Sequence, residues 1–274
     1  MPTILTTSAF DGQFPAEVYP VILNAIAGGN PFAQSLTRWD SGQTDSVFRT
    51  ITGMSGAAWI NEGDVKPSMT IDTEGVLVKA EELAGIPMLS DRMIRDSRTD
   101  IVAEVQRVMR EFFARRLDDG LLHGNGVAPN PKGVFSVAPD AAAGDDLWDA
   151  VTIAKGEIVA AGGTPTTLAL DPVAVVQEEG RIDANGYPIY RDGLTRYNGL
   201  DVVAVPSLAT GEALVYDRTE VFWVVAEDFT ITPSREYAPA YERDSVALRT
   251  SGQFGVGVPN PTKAIRQVTV TPAP

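Results

Sequence analysis

The clearest pattern in the chain lies between residues 99 and 122. Ile101, Val105, Val108/Met109, Phe112/Phe113, Leu117 and Leu121 recur at three- to four-residue steps. Glu104, Arg107, Arg110, Glu111, Arg115 and Asp118 fill the other side. That spacing predicts an amphipathic helix with one face turned to a core. Ser97 or Thr99 can cap its start, Asp100 favours its first turn, and Gly124 ends it. At 1.5 Å per residue it would run about 35 Å, roughly twice the usual globular helix.

Upstream the period changes. Val47, Arg49 and Ile51 alternate with Phe48 and Thr50, and Trp59-Ile60, Val76 to Lys79 and Ile86 to Leu89 read as further extended pieces. A long polar excursion, Asp64 to Glu74, separates two of them. The expectation is an extended hairpin with too few apolar residues to pack alone. Before it, residues to about Asp40 mix short apolar pieces with turn formers. A short helix starting at Val18 to Leu23 would end at Gly28-Gly29, and Asn30-Pro31 would restart the chain in extended form. This segment reads as an arm that needs a surface to cover.

Downstream, Leu147 to Ala161 predicts a second helix, Leu168 to Leu170 a short buried strand, and Asp171-Pro172 the start of a helix that stops by Gly180. Asn185-Gly186 is a turn. Leu200 to Val205, Ala213 to Tyr216, Val221 to Ala226, Phe229 to Thr232, Ser245 to Val258 and Ala264 to Thr271 read as strands. Helices and strands alternate without strict βαβ order, which predicts the α+β class.

Charge and composition narrow the function. The formal net charge is -14 and no basic arm stands out, so the chain repels phosphate on average and specific nucleic-acid binding is not expected. There is no cysteine, which excludes disulfides, thiolate metal sites and cysteine nucleophiles. Met1 to Leu5 lacks a basic region followed by an apolar block, so no signal peptide is expected. The longest clearly apolar run, Val221 to Ala226, is far short of a membrane span.

Candidate chemistry dissolves on inspection. The one histidine, His123, cannot build a multi-histidine metal site, and a hydrogen bond or charge at a helix C-terminus accounts for it. Ser55, in Gly53-Met54-Ser55-Gly56-Ala57, lacks the second glycine of a nucleophile elbow. Gly124-Asn125-Gly126 follows a helix instead of opening one and lacks the Gly-Lys-Ser/Thr ending of a phosphate loop. Asp183-Ala184-Asn185-Gly186 lacks the final glutamate of a calcium loop. The pairs Asp118-Asp119, Asp145-Asp146 and Glu178-Glu179 sit near helix ends, where solvation or capping explains them. No catalytic residue, metal ligand or cofactor is expected. An arm, an under-supported hairpin and an over-long helix instead expose surface that one domain struggles to cover, and such surface points to symmetric assembly.

Several motifs, taken in order, sharpen that reading. Ala58-Trp59-Ile60-Asn61-Glu62-Gly63 with Lys66-Pro67 resembles the hairpin motif of tailed-phage major capsid proteins. Leu83 to Asp91 resembles their segment leading back from the hairpin, and Arg95-Asp96-Ser97 precedes the long helix as in that family. Leu121-Leu122-His123-Gly124-Asn125-Gly126 with Pro131-Lys132-Gly133-Val134 resembles the motif after it. Tyr197 to Val203 looks like a later strand of the family, with Leu200-Asp201 in place of its usual small residue and proline. Arg249 to Pro261 resembles its final strand. The resemblance covers most of the chain in the right order.

The resemblance implies the Hong Kong 97-type capsid fold. It implies an N-terminal arm (1–38), an extended hairpin loop (39–84), a peripheral domain (85–146 and 238–274) with a spine helix (99–122), and an axial domain (147–237). Trp59, Glu62, Lys66 and Pro67 on the hairpin, and Val105, Met109, Phe112 and Phe113 on the spine helix, are the implied contact residues. Lys66 and Asn260 are the positions at which a lysine–asparagine cross-link, made by some members, would be sought. Many copies would assemble as hexamers and pentamers around double-stranded DNA held without specific binding. Portal, separate scaffolding and decoration proteins are the implied partners, with no membrane. Some members carry a scaffolding segment before the arm, and this arm begins almost at Met1, so a separate scaffolding protein or a processed form is expected. The implied location is the virion, after assembly in the host cytoplasm. A cargo compartment of the same fold is the alternative, and a soluble enzyme the remote one.

Overall fold

The structure is a computed structural model and describes residues 30–63, 65–92, 99–141, 144, 146–183, 185–187, 189–190 and 193–269. The expected helix at Val18 to Leu23, most of the arm, and the residues Ser97, Asp145 and Ala184 lie outside the described residues. In chain order the elements are α1 (Pro31–Ser35), β1 (Thr37–Asp40), β2 (Asp45–Ser55), β3 (Thr70–Lys79), β4 (Glu81–Gly85), β5 (Met88–Ser90), α2 (Thr99–His123), α3 (Leu147–Ala160), β6 (Thr167–Leu170), α4 (Pro172–Glu179), β7 (Arg196–Tyr197), β8 (Leu200–Ala204), β9 (Glu212–Tyr216), β10 (Phe222–Ser234), α5 (Ala238–Tyr241), β11 (Ser245–Gly257), α6 (Pro261–Ala264) and β12 (Ile265–Thr269). The α+β expectation holds.

Two sheets organise these elements. The first runs β1-β10-β11-β4, with β5 also pairing β11. The second runs β12-β9-β6-β8-β7. A core of Met109, Phe113, Leu117 and Leu121 from α2 with Trp223, Phe229, Leu248 and Phe254 from β10 and β11 joins the long helix to the first sheet. A second core joins Leu147, Val151, Ala154 and Ile158 of α3 to Leu168, Leu170, Val215 and Val268 of the second sheet. Asp146 caps α3 by accepting from the Asp149 amide, and Asp171 caps α4 by accepting from Val173 and Ala174. Both caps fill orphan donors of a first turn.

Three local expectations need correction. Asn30-Pro31 does not restart the chain in extended form: Asn30 is extended, but a helix follows with Pro31 in its first turn. Proline fits that position because the missing amide has no partner there anyway. The remaining amides are met from far away, since the Asp118 carboxylate accepts from Phe32 and Ala33, both at 3.2 Å. Trp59-Ile60 is not a strand, because the last hairpin pair is Ser55 with Thr70 and residues 56–69 lie beyond it. Val221 to Ala226 and Phe229 to Thr232 are not two strands but parts of β10. The pairing with β11 continues through register shifts on either side of Glu227, which absorb the polar Glu227-Asp228 pair.

Candidate assembly surface

Among the described residues the hairpin is held at its foot. Phe48 stacks on Phe222 at 5.2 Å and meets Trp39 edge-on at 5.4 Å, and Val78 is buried. Gly257 allows this approach, since a Cβ there would lie 3.2 Å from the Phe48 ring. Further out, β2 and β3 pair only with each other, from Asp45 opposite Lys79 to Ser55 opposite Thr70, with a register shift between Ile51 and Gly53. At the tip, Gly56 has φ +98°, and a Cβ on it would strike the Ser68 carbonyl, so only glycine allows the two arms to close there. Trp59 is fully exposed, and Glu62, Lys66 and Pro67 near it in sequence are exposed.

The long helix divides its apolar residues between two destinations. Met109 and Phe113 are buried in the chain's own core and cannot serve as contacts for another molecule. Phe113 meets Phe229 edge-on at 5.7 Å. Phe112 and Val108 face outward and are more than half exposed, next to the Arg107–Glu111 ion pair at 2.6 Å. The side chain of Val105 lies outside the described residues. Sequence periodicity could not separate Phe112 from Phe113, because both fall within one step of the helical repeat.

The helix ends as a capped C-terminus. The Gly124 amide donates to the Gly120 carbonyl, and a Cβ at Gly124 would collide with the Pro131 carbonyl. The 124–133 segment then folds back, with Asn125 bridged to Lys132. His123 Nδ1 lies 3.3 Å from Asp119 and Nε2 lies 2.9 Å from Glu212 of β9, with its ring stacked on Phe135 at 5.0 Å. The imidazole therefore ties α2 to the second sheet. Its two nitrogens point to different carboxylates, which is not the geometry of a shared metal. His123→Ala is expected to lower subunit stability by about 1–2 kcal/mol in urea unfolding, through the loss of the ring's N–H···carboxylate hydrogen bonding and of its stacking on Phe135. An unchanged midpoint would show the tie to be idle.

The second sheet carries its own exposed apolar residues. Trp148 and Val159 on α3 and Val173 and Val176 on α4 are exposed, as are Ile182, Tyr187 and Ile189 in the loop after α4. Asp183 accepts from the amides of Asn185 and Tyr187, which makes that stretch a turn and holds its carboxyl below the usual carboxylate range. Asn260 is half-buried at the start of α6, where its carbonyl accepts from Lys263 and Ala264.

No catalytic arrangement emerges from the described residues. A cleft of about 340 Å³ between β4 and the end of α2 is lined by Glu81, Glu82, Arg116 and Asp119 with apolar residues, and holds no nucleophile or histidine. Among the described residues no group of three or more His, Cys, Asp or Glu could hold a metal ion, and no helix is long and apolar enough to cross a membrane.

The model of the phage capsid family matches residues 14–270. The probable major capsid protein gp17 of Mycobacterium phage L5 is 25% identical over 196 residues, which cover 67% of this chain. The chain spans 59% of that relative's length. Among solved structures, a chain of Mycobacterium phage Bobi superposes with a TM-score of 0.72 at 22% identity, covering 98% of this chain and 96% of its own. The capsid of a native GTA particle computed with C5 symmetry gives a TM-score of 0.67 at 18% identity, covering 87% and 89%. At those identities the superpositions speak for the fold, and they bear out the expected capsid architecture. Matched by the family model over nearly its whole length, the chain belongs to the phage capsid family.

Proposed function

We propose that this chain is the major subunit of a tailed-phage head, a structural protein of which many copies close into an icosahedral shell. The observation that carries the reading is the hairpin of residues 45–79. It projects beyond its own core, rests on that core at its foot through residues that include Phe48 and Val78, and ends in a fully exposed Trp59. A lone two-stranded hairpin is marginal in water, so a neighbouring copy is the natural support. Hexamers and pentamers would be the closed rings that such repeated contacts build.

The domain reading follows the two cores. The arm would be residues 1–36 and the hairpin loop 41–80, shorter than the 39–84 expected, because β1 and β4 pair within the first sheet. The peripheral domain would include α2 and the first sheet. The axial domain would begin at Leu147 and end near Tyr216 instead of residue 237, because β10 pairs with β1 and β11. Portal, scaffolding and decoration proteins would be the other partners. The net charge of -14 suits a wall that encloses double-stranded DNA without gripping it. A lysine–asparagine cross-link, if made, would join Lys66 of one copy to Asn260 of another.

Gly56 already lies against the backbone of Ser68 and Met69, so residues 57–67 can be excised and the ends rejoined. The shortened chain is expected to keep the circular dichroism and unfolding midpoint of the parent. Negative-stain microscopy should find closed particles from the parent and none from the shortened chain. Parent-like particles without the tip would refute the role given to it.

A further inference from the structure

At the foot of β3 a cavity of about 170 Å³ is shared between that strand and the segment that follows α2. Four consecutive residues of β3, Val76 to Lys79, line it. Successive side chains of a strand point to opposite faces, so a run of four meets the cavity along the strand's edge. Among the described residues that edge is unpaired, since β3 forms a sheet with β2 alone. An unpaired edge presents backbone N–H and C=O groups. Gly126, Pro131, Lys132 and Val137 complete the lining from the segment after α2. Val78, Val256 and Val258, all buried, make much of it aliphatic.

Two lysines border the same space. Lys132 folds over Gly126, where φ is +70° and a Cβ would meet the lysine stem at 3.2 Å. Lys79 stands opposite Asp45 in the hairpin register. Among the described residues no ion pair holds either ammonium. Glu81 is the one carboxylate in the lining, so cations outnumber anions there by two to one. On a chain with a net charge of -14 such a surplus singles out an anion as the occupant. The valines decide what the anion carries. An apolar lining with a few convergent polar groups is the make-up of a small-molecule site. Drug-sized ligands fill roughly 300 Å³ or more, so this cavity suits a smaller molecule.

We propose that this cavity binds an unbranched aliphatic carboxylate, a fatty acid of octanoate size. Its chain lies on the valines and its head group between Lys79 and Lys132. The site does not depend on the shell reading, because every lining residue belongs to one chain. Bound there, the ligand ties the foot of the hairpin to the segment after α2.

Isothermal titration calorimetry of the full-length, unassembled chain tests this with octanoate, octan-1-ol and octylammonium. Octanoate should saturate a single site per chain, and octylammonium should bind about tenfold more weakly, the worth of one hydrogen bond to a charged group. From butanoate to octanoate each added methylene should tighten binding roughly fourfold, the gain from burying it. Lys79→Gln/Lys132→Gln should weaken octanoate about tenfold and leave octan-1-ol unchanged. Val137→Phe fills the cavity and should abolish binding of all three. Circular dichroism checks the fold of both variants, and if either is unfolded the chain-length series and the octylammonium comparison in the parent decide. Absence of saturable octanoate binding would overturn the proposal. Octylammonium binding as tight as octanoate would assign the space to a cation held by Glu81, and overturn it too. So would octanoate binding that survives either substitution in a folded chain.

Discussion

Replacing Asp118 with alanine is expected to cost about 3 kcal/mol of subunit stability at pH 5, because two buried amides lose their acceptor at once. Asp118 is buried on α2, and its two oxygens separately accept from the Phe32 and Ala33 amides that open α1. Asparagine is no substitute here, since its amide nitrogen would face a donor where the second oxygen now accepts. Burial raises the Asp118 pKa from 3.8 to about 7, against the lowering effect of the two amides. The folded chain thus holds a proton that the unfolded chain releases near pH 4. The stability tied to that proton is complete below pH 4 and is lost as pH rises through about 7, at up to ~1.4 kcal/mol per pH unit. Urea unfolding of parent and Asp118→Ala from pH 4 to 8 should therefore show a gap that narrows as pH rises. A gap that is constant across the range would sink the raised ionisation, and no gap at all would sink the cap.

That contact also marks the limit of what sequence patterns convey. The long helix is legible because one stripe of apolar residues repeats over six turns, and its observed span, Thr99–His123, agrees with the pattern. The caps at Asp146 and Asp171 are legible for a similar reason, since donor and acceptor are neighbours in sequence. Helix α1 is not, because its acceptor lies 85 residues away from Ala33. The hairpin is legible as alternation up to Ile51. The bulge that carries Met54 onto the face of Ile51 depends on pairing with Asp72 and Ile71, which no local pattern encodes. Likewise, continuous pairing with β11 merges two short apolar runs into β10. Motif order carried the family, while the surfaces that would meet in a shell are set by register and by which of two adjacent residues points inward.

Phe112 and Phe113 put that last point to the sharpest measurement. The two are neighbours on α2 with rings 5.8 Å apart, and a substitution at either removes the same atoms. Phe113 is 3% exposed, meets Phe229, and lies where a Cβ at Gly85 would touch its ring at 3.1 Å. Phe229 in turn packs on Phe254 at 4.6 Å, and Phe254 stacks near Trp223 at 6.2 Å. Phe113→Ala therefore opens a void where the helix meets the sheet, and should cost about 4 kcal/mol in the isolated subunit. Phe112 is 59% exposed, and Phe112→Ala should change stability by less than about 0.5 kcal/mol. Equal costs in urea unfolding would mean that the helix is rotated relative to the sheet. On the proposed reading Phe112 meets a neighbouring copy in the shell, so Phe112→Ala should leave the unfolding curve in place while raising the protein concentration needed to form shells.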